Sequence, residues 1–225
     1  PPFPRALSPM SWSSSASRPL SADAAAQYPF GTVLDLIPAD DDEHIFLLPV
    51  HPSLDKRASL TFAALRQFVE ALREAPSLHT LAPGARVAAA LPNGPELAVC
   101  LLSLTALGFA FAPLNPELNE DELRFELSDL PAVALLLPST QRGAAQPAAT
   151  SLGISCILKL QPDAASCGLF AISGGTGSAK PPEEHRPGGD RCADREAIAL
   201  LMHTSGTTRR PKLVPLSHRQ LGVGA

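Results

Sequence analysis

Between Arg86 and Leu158 of this 225-residue chain, short apolar runs alternate with segments patterned as helices, and that alternation constrains the fold more than any other feature. Arg86–Leu91 is too short for a typical helix, is bounded by turn formers and reads as a strand. The turn Pro92-Asn93-Gly94-Pro95 leaves Pro95 at the first position of the next helix, where its missing N–H had no partner to lose and its fixed φ is already helical. That helix is mostly apolar, runs to about Leu107 and stops at Gly108 before an extended segment, Phe109–Leu114. Asn119 with Glu122 forms a capping-box pattern that opens a helix through Phe125 and Leu127, which must end before Pro131. Ala132–Leu137 and Ile154–Leu158 read as two further strands. Strands apolar along their length are buried on both faces, so the alternation predicts an α/β fold with a mainly parallel sheet covered by helices. Upstream, Thr61 caps a helix running to about Ala75, with Leu60 and Leu65 at staple positions and Phe62, Leu65, Val69 and Leu72 on one face; Pro76 stops it.

Composition narrows the function classes. The chain is 45% hydrophobic, which is enough for one sizeable core. Its 18 basic and 22 acidic side chains give a formal charge of −4, and no Lys/Arg cluster is interleaved with aromatics, so nucleic acid and anionic membranes are poor partners. No apolar run approaches the roughly 18 to 20 residues of a transmembrane helix. Cys100, Cys156, Cys167 and Cys192 contain no Cys-x-x-Cys pair, so neither a zinc site nor a redox motif is expected; they read as reduced, intracellular thiols, with Cys100 buried in its helix. Residues 1–27, rich in Ser, Ala and Pro, read as a flexible extension; with Arg5 and Arg18 as their basic residues they are also compatible with organelle targeting. Residues 162–194 turn to Gly, Ser, Pro and charge and read as a flexible insert. The run Gly174–Lys180 within them is preceded by a short segment only, and no periodic helix follows Pro181-Pro182, which disfavours a phosphate-loop reading.

Chemistry concentrates after the strand Ile198–Met202, in His203-Thr204-Ser205-Gly206-Thr207-Thr208-Arg209-Arg210-Pro211-Lys212. Backbone N–H groups around Gly206 can form an anion-binding concavity, Thr204, Ser205, Thr207 and Thr208 each add an O–H donor, and Lys212 adds a mobile positive charge. The P-loop of nucleoside triphosphatases is a poor match, because Pro211 stands where its second glycine belongs and Leu213 where its hydroxyl residue belongs. Leu213–Leu216 reads as another extended segment, which Pro215 confines to an edge or an end. Ser217 with Gln220 predicts a capped helix. His203 reads as a packing or hydrogen-bonding strand end, and His218 and Arg219 as exposed residues of the first helical turn.

The run Thr204–Val214 resembles the phosphate-binding signature of the adenylate-forming enzymes, which include acyl-CoA synthetases, luciferases and nonribosomal peptide synthetase adenylation domains. Leu60-Thr61-Phe62, Leu91-Pro92-Asn93-Gly94 and Ala112-Pro113-Leu114-Asn115-Pro116 look like early landmarks of acyl-CoA synthetases, and the resemblance covers about Tyr28 to Leu221. Pro-Leu-Asn-Pro and Arg-Pro-Lys-x-Val-Pro-Leu are most similar to the oxalate–CoA ligase and peroxisomal synthetase branch. The resemblance implies that 28–225 is a truncated part of the large amino-terminal AMP-binding domain. It further implies an ATP-dependent carboxylic acid–CoA ligase that works through an acyl-adenylate, uses ATP, Mg2+ and coenzyme A, takes a small-molecule carboxylic acid, and lies in the cytoplasm or a peroxisome. By position, Thr204, Ser205, Gly206, Thr207, Thr208 and Lys212 inherit the contacts to phosphate, with Lys212 as the catalytic cation; no metal ligand is assigned. Arg209 and Leu213 replace glycines usual in the family, narrowing the backbone freedom of the loop. The family's adenine, ribose and carboxyl-terminal lysine elements do not appear before Ala225, so this stretch by itself is expected to be inactive. The alternatives are a noncatalytic truncated synthetase acting as a binding module and, disfavoured by the spacing, a P-loop nucleotidase.

Overall fold

The computed structural model describes residues 32–37, 43–49, 55–140, 143–175, 194–204 and 211–224. A 3-10 turn, Val33–Leu36, is followed by a small antiparallel pair, β1 (Ile45–Leu47) and β2 (Leu60–Thr61). Helix α1 (Phe62–Arg73) starts where expected, with Thr61 Oγ1 accepting the Ala64 N–H at 3.2 Å, and buries Leu65, Val69 and Leu72. Pro76 does not terminate it, since the chain has left the helix at Glu74; it opens a one-turn helix, α2 (Pro76–His79), from the first position, which suits a residue without an N–H.

The main body follows as β3 (Arg86–Ala89), α3 (Pro95–Ala106), β4 (Ala110–Pro113), α4 (Glu120–Asp129), β5 (Ala134–Pro138), α5 (Ala145–Ser151), β6 (Cys156–Pro162), β7 (Phe170–Gly174), β8 (Ile198–Thr204), β9 (Lys212–Ser217) and α6 (His218–Gly224). Pro95 is at the start of α3, and Gly108, at φ 81°, ends it: the Phe109 N–H donates to the Leu104 carbonyl and the Gly108 N–H to the Thr105 carbonyl, which satisfies two of the helix's last carbonyls. The capping box of α4 is complete, with Asn119 Oδ1 accepting the Glu122 N–H and Glu122 Oε2 accepting the Asn119 N–H, both at 3.0 Å.

Seven strands form one sheet in the order β7-β6-β5-β3-β4-β8-β9. The five inner strands run parallel and both outer ones antiparallel to their neighbours. The period-2 alternation sends Val87, Leu136 and Leu158 to a core shared with α1 and α3, and Ala88, Leu135 and Leu137 to a second core under α4 and α5. Both faces are therefore covered, and the fold is an α/β sandwich with a mostly parallel sheet. Cys100 is fully buried within α3. One finding departs from the composition-based reading. The stretch assigned to a flexible insert from residue 162 holds β7, paired residue by residue with β6 from Leu158↔Gly174 to Pro162↔Phe170. Residues 1–31 and 176–193 lie outside the described residues.

Candidate functional site

The site is built on the β8–β9 hairpin at one edge of the sheet. The register pairs Leu201 with Pro215, Met202 with Val214, His203 with Leu213 and Thr204 with Lys212. Pro215 lies on the edge strand, where a missing N–H breaks no inner ladder. Of the predicted site residues, Thr204 and Lys212 come together as the last pair of the hairpin, with Thr204 Oγ1 donating to the Lys212 carbonyl at 3.3 Å. Ser205, Gly206, Thr207 and Thr208, together with Arg209, lie outside the described residues. Directly opposed residues on antiparallel strands project from the same face. Thr204 and Lys212, both exposed, therefore share one face with Met202 and Val214, while His203 and Leu213 share the other.

The hairpin is anchored at each end. At its base, Ser217 Oγ accepts the Gln220 N–H at 3.3 Å and Gln220 Oε1 accepts the Ser217 N–H at 2.8 Å, so the predicted capping box starts α6 immediately after β9. His218 corrects the sequence-based expectation: it is not exposed but buried at 3% exposure, with Nδ1 accepting the Val33 N–H at 3.2 Å. Burial holds its imidazole below the ordinary histidine range, opposed by the nearby charges of Asp194 and Asp35. Arg219 is half-exposed and forms a 2.8 Å ion pair with Glu196.

At the loop end, the His203 side chain is 7% exposed and packs against the last turn of α4. Its Nε2 is 3.4 Å from Asp129 Oδ2, its Nδ1 is 3.9 Å from Glu126 Oε2, and that buried Nδ1 has no hydrogen-bond partner. Burial pushes the Glu126 carboxyl upward, with His203 opposing the shift and Glu122 adding to it. Sequence reasoning identified His203 as a hydrogen-bonding strand end but missed both acids. A signal was present: carboxylates in the last turn of a helix face its negative end, and α4 has no basic residue there to offset them.

The remaining chemistry is limited. Among the described residues, no group of three His, Cys, Asp or Glu side chains could hold a metal ion. Cys100, Cys156 and Cys167 are free thiols pushed upward by burial, which makes them poor nucleophiles at neutral pH. Among the described residues, no helix is long and apolar enough to cross a membrane. What the hairpin offers is a solvent-facing hydroxyl and ammonium at the two limbs of a Ser/Thr/Gly loop, an arrangement suited to an anion.

The family model described as AMP-binding enzyme matches residues 41–224. Oxalate–CoA ligase of Arabidopsis thaliana is 32% identical over 173 residues, covering 75% of this chain and 32% of that protein. Sulfoacetate–CoA ligase of Cupriavidus necator is 31% identical over 170 residues, covering 75% and 31%. Among solved structures, apo MatB from Rhodopseudomonas palustris aligns with a TM-score of 0.59 at 20% identity over 84% of this chain and 35% of that one. The N-terminal subdomain of Klebsiella oxytoca NpsA aligns with a TM-score of 0.54 at 21% identity over 84% and 42%. At these identities the structural likeness concerns the fold. The chain spans about a third of the length of the two ligases.

Proposed function

The chain belongs to the family of AMP-binding, adenylate-forming enzymes, and on that premise we propose that it supplies the phosphate-holding part of an ATP-dependent carboxylic acid–CoA ligase. The observation that carries the proposal is the Thr204–Lys212 pair: a cation and a hydroxyl fixed opposite each other, both exposed, at the two ends of the loop. In this reading Ser205, Thr207 and Thr208 donate O–H groups to phosphate oxygens, Thr204 joins them by exchanging its 3.3 Å bond to the Lys212 carbonyl for phosphate, Gly206 lets the backbone approach closely, and Lys212 neutralises charge.

A carboxylate attacking the α-phosphate of ATP forms an acyl-adenylate and releases pyrophosphate; the thiol of coenzyme A then displaces AMP. Negative charge builds on the departing pyrophosphate, so the chain's donors act mainly in the first step, by position and electrostatics and not by covalent chemistry. Mg2+ enters this reading with the triphosphate it accompanies. Residues 28–225 are then part of the AMP-binding domain, with 1–27 as an extension and the low-complexity part of the insert after β7.

The test is acid-dependent exchange of labelled pyrophosphate into ATP by a chain of the ligases' length that carries these residues, with oxalate and sulfoacetate among the acids tried. Exchange with one of them supports the proposal. Pyrophosphate binding without exchange for any acid would instead assign a binding module.

A further inference from the structure

We propose that His203, Glu126 and Asp129 form a proton-dependent clamp that positions the loop end of the β8–β9 hairpin, with one proton shared between His203 Nδ1 and Glu126 Oε2. The phosphate role of that end rests on the function proposed above; the clamp itself does not.

His203 Nδ1 is buried without a hydrogen-bond partner, and at 3.9 Å Glu126 Oε2 is within ion-pair range but beyond a hydrogen bond. Glu126 and Asp129 are three residues apart and so share a face of α4, one to each ring nitrogen. A neutral ring with its hydrogen on Nε2 satisfies Asp129 but turns the Nδ1 lone pair toward a carboxylate. The other tautomer turns the Nε2 lone pair toward Asp129. Either sets two electron-rich atoms against each other, away from water at Glu126, whose side chain is 12% exposed, and partly hydrated at Asp129, whose side chain is 44% exposed, so the conflict at Nδ1 is the costlier one. One further proton, carried by the ring or by Glu126, turns the conflict into an attraction that draws the 3.9 Å pair together into hydrogen-bond range: N–H then donates to carboxylate in the first case, and carboxyl O–H to Nδ1 in the second. Burial favours the protonated form of Glu126, and a proton held between two groups this near couples their charge states. A positive ring would also offset the negative end of α4.

Among the described residues, charged side chains near β8 come from α4, β9 and α6. Helix α4 presents Glu122, Glu126 and Asp129 toward this end, while its Arg124 is engaged with Glu120, Asp121 and Ser151. Strand β4 carries no titratable side chain, and β9 carries Lys212 on the opposite face. Helix α6 brings His218 and Arg219 to the far end of the strand, where the His218 N–H donates to the Ala197 carbonyl. The clamp therefore acts on the His203–Leu213 pair, and the next pair is Thr204–Lys212. Losing the shared proton to solvent sets carboxylate against lone pair at the root of the loop and biases that last pair toward separation.

The experiment is a pH titration of the isotopically labelled 225-residue chain by NMR, following the Glu126 carboxyl carbon, the His203 ring nitrogens and the amides of Thr204 and Leu213 together. The expected result is a common two-step curve for Glu126 and His203, with both amides following it. Glu126→Gln, whose amide donates to Nδ1 without titrating, should abolish the amide response while the fold persists. Independent single-step titrations, or amides that stay fixed while the ring titrates, would overturn the clamp, and the wild-type chain alone decides this. Adding inorganic pyrophosphate to the same sample reads the phosphate assignment separately. Amides that follow the ring but ignore pyrophosphate would uphold the clamp and remove only that assignment.

Discussion

His218 Nδ1 accepts the backbone N–H of Val33 at 3.2 Å, a buried hydrogen bond between residues 185 positions apart that ties the 3-10 turn Val33–Leu36 to the start of α6. Burial lowers the folded-state imidazole, so the unfolded chain takes up the proton first as pH falls. The contact's full contribution is present above the ordinary histidine value of 6.5 and is lost as pH drops through the lowered folded value. Stability measured by urea unfolding should therefore decline on the acid side, and His218→Gln, which can still accept the N–H but cannot titrate, should flatten that decline. His218→Ala leaves a buried donor unpaired and should cost about 1–3 kcal/mol at neutral pH.

Gly174 and Gly153 both adopt left-handed backbone, at φ 88° and 77°, yet their surroundings differ. A Cβ on Gly174 would lie 2.5 Å from the Ile157 carbonyl oxygen, whereas one on Gly153 meets nothing within 4 Å. Gly153→Ala should cost about 1–2 kcal/mol from conformation alone. Gly174→Ala adds a clash with backbone and should cost roughly 2–5 kcal/mol. Hydrogen-exchange protection along β6 and β7 should fall in the second variant and persist in the first.

The elements legible in the sequence are those with local causes. Thr61, Asn119 with Glu122, and Ser217 with Gln220 each mark a helix start through a side chain that caps it, and Pro215 confines its segment to an edge or an end, of which the sheet shows the edge. The rest depends on distant partners. Helix α5 begins at Ala144 with no side-chain cap, and its Ala-rich sequence contains Pro147, so nothing local announces it; packing of Ala145, Ala148 and Ala149 on the sheet selects it. Strand β7 lies in a stretch that reads as low complexity and exists through its pairing with β6. His218 looked like an exposed helix-start residue because its burial depends on the turn at Val33, which no periodicity reveals. For the site, the two extended segments around the loop were readable, but their antiparallel pairing, which sets Thr204 opposite Lys212, and the acids of α4 that face His203 were not.

The Arg57 guanidinium is held by both Asp55 and Glu96, with Arg57 and Glu96 side chains 20% and 19% exposed. Next to it, the Ala58 N–H donates to the Ala165 carbonyl at 2.7 Å and the Ala58 carbonyl accepts the Cys167 N–H at 2.8 Å. The ion pair thus joins the start of α3 to the 55–58 segment and, through Ala58, to the turn before β7. A double-mutant cycle with Arg57→Ala and Glu96→Ala should give a coupling of about 1 kcal/mol, above an exposed pair and below a dry one. Arg57→Lys should retain little of it, because an ammonium cannot engage both carboxylates with the fork geometry of a guanidinium. A coupling indistinguishable from zero would show that backbone pairing alone orders this segment.

The 225-residue chain, which spans about a third of the ligases it resembles, should show no acid-dependent pyrophosphate exchange alone. Catalysis requires the reacting carboxylate and α-phosphate to be held in attack geometry, and the proposal assigns this stretch only the phosphate contacts. Robust exchange with any carboxylic acid would show that the described hairpin is part of a self-sufficient site.

The most direct test of the central claim is Lys212→Ala in a catalytically complete chain carrying these residues, with the two half-reactions measured apart. Adenylation is read by pyrophosphate exchange, and thioester formation by the reaction of preformed acyl-adenylate with coenzyme A. Removing one charged phosphate contact costs about 2–4 kcal/mol by analogy with other preorganised donors, or roughly 30-fold to 1,000-fold in rate. The account predicts a loss of that size in adenylation with thioester formation nearly unchanged, because pyrophosphate is present only in the first step. Equal loss in both half-reactions, or none in adenylation, would contradict the placement of the departing pyrophosphate at the Thr204–Lys212 end of the hairpin.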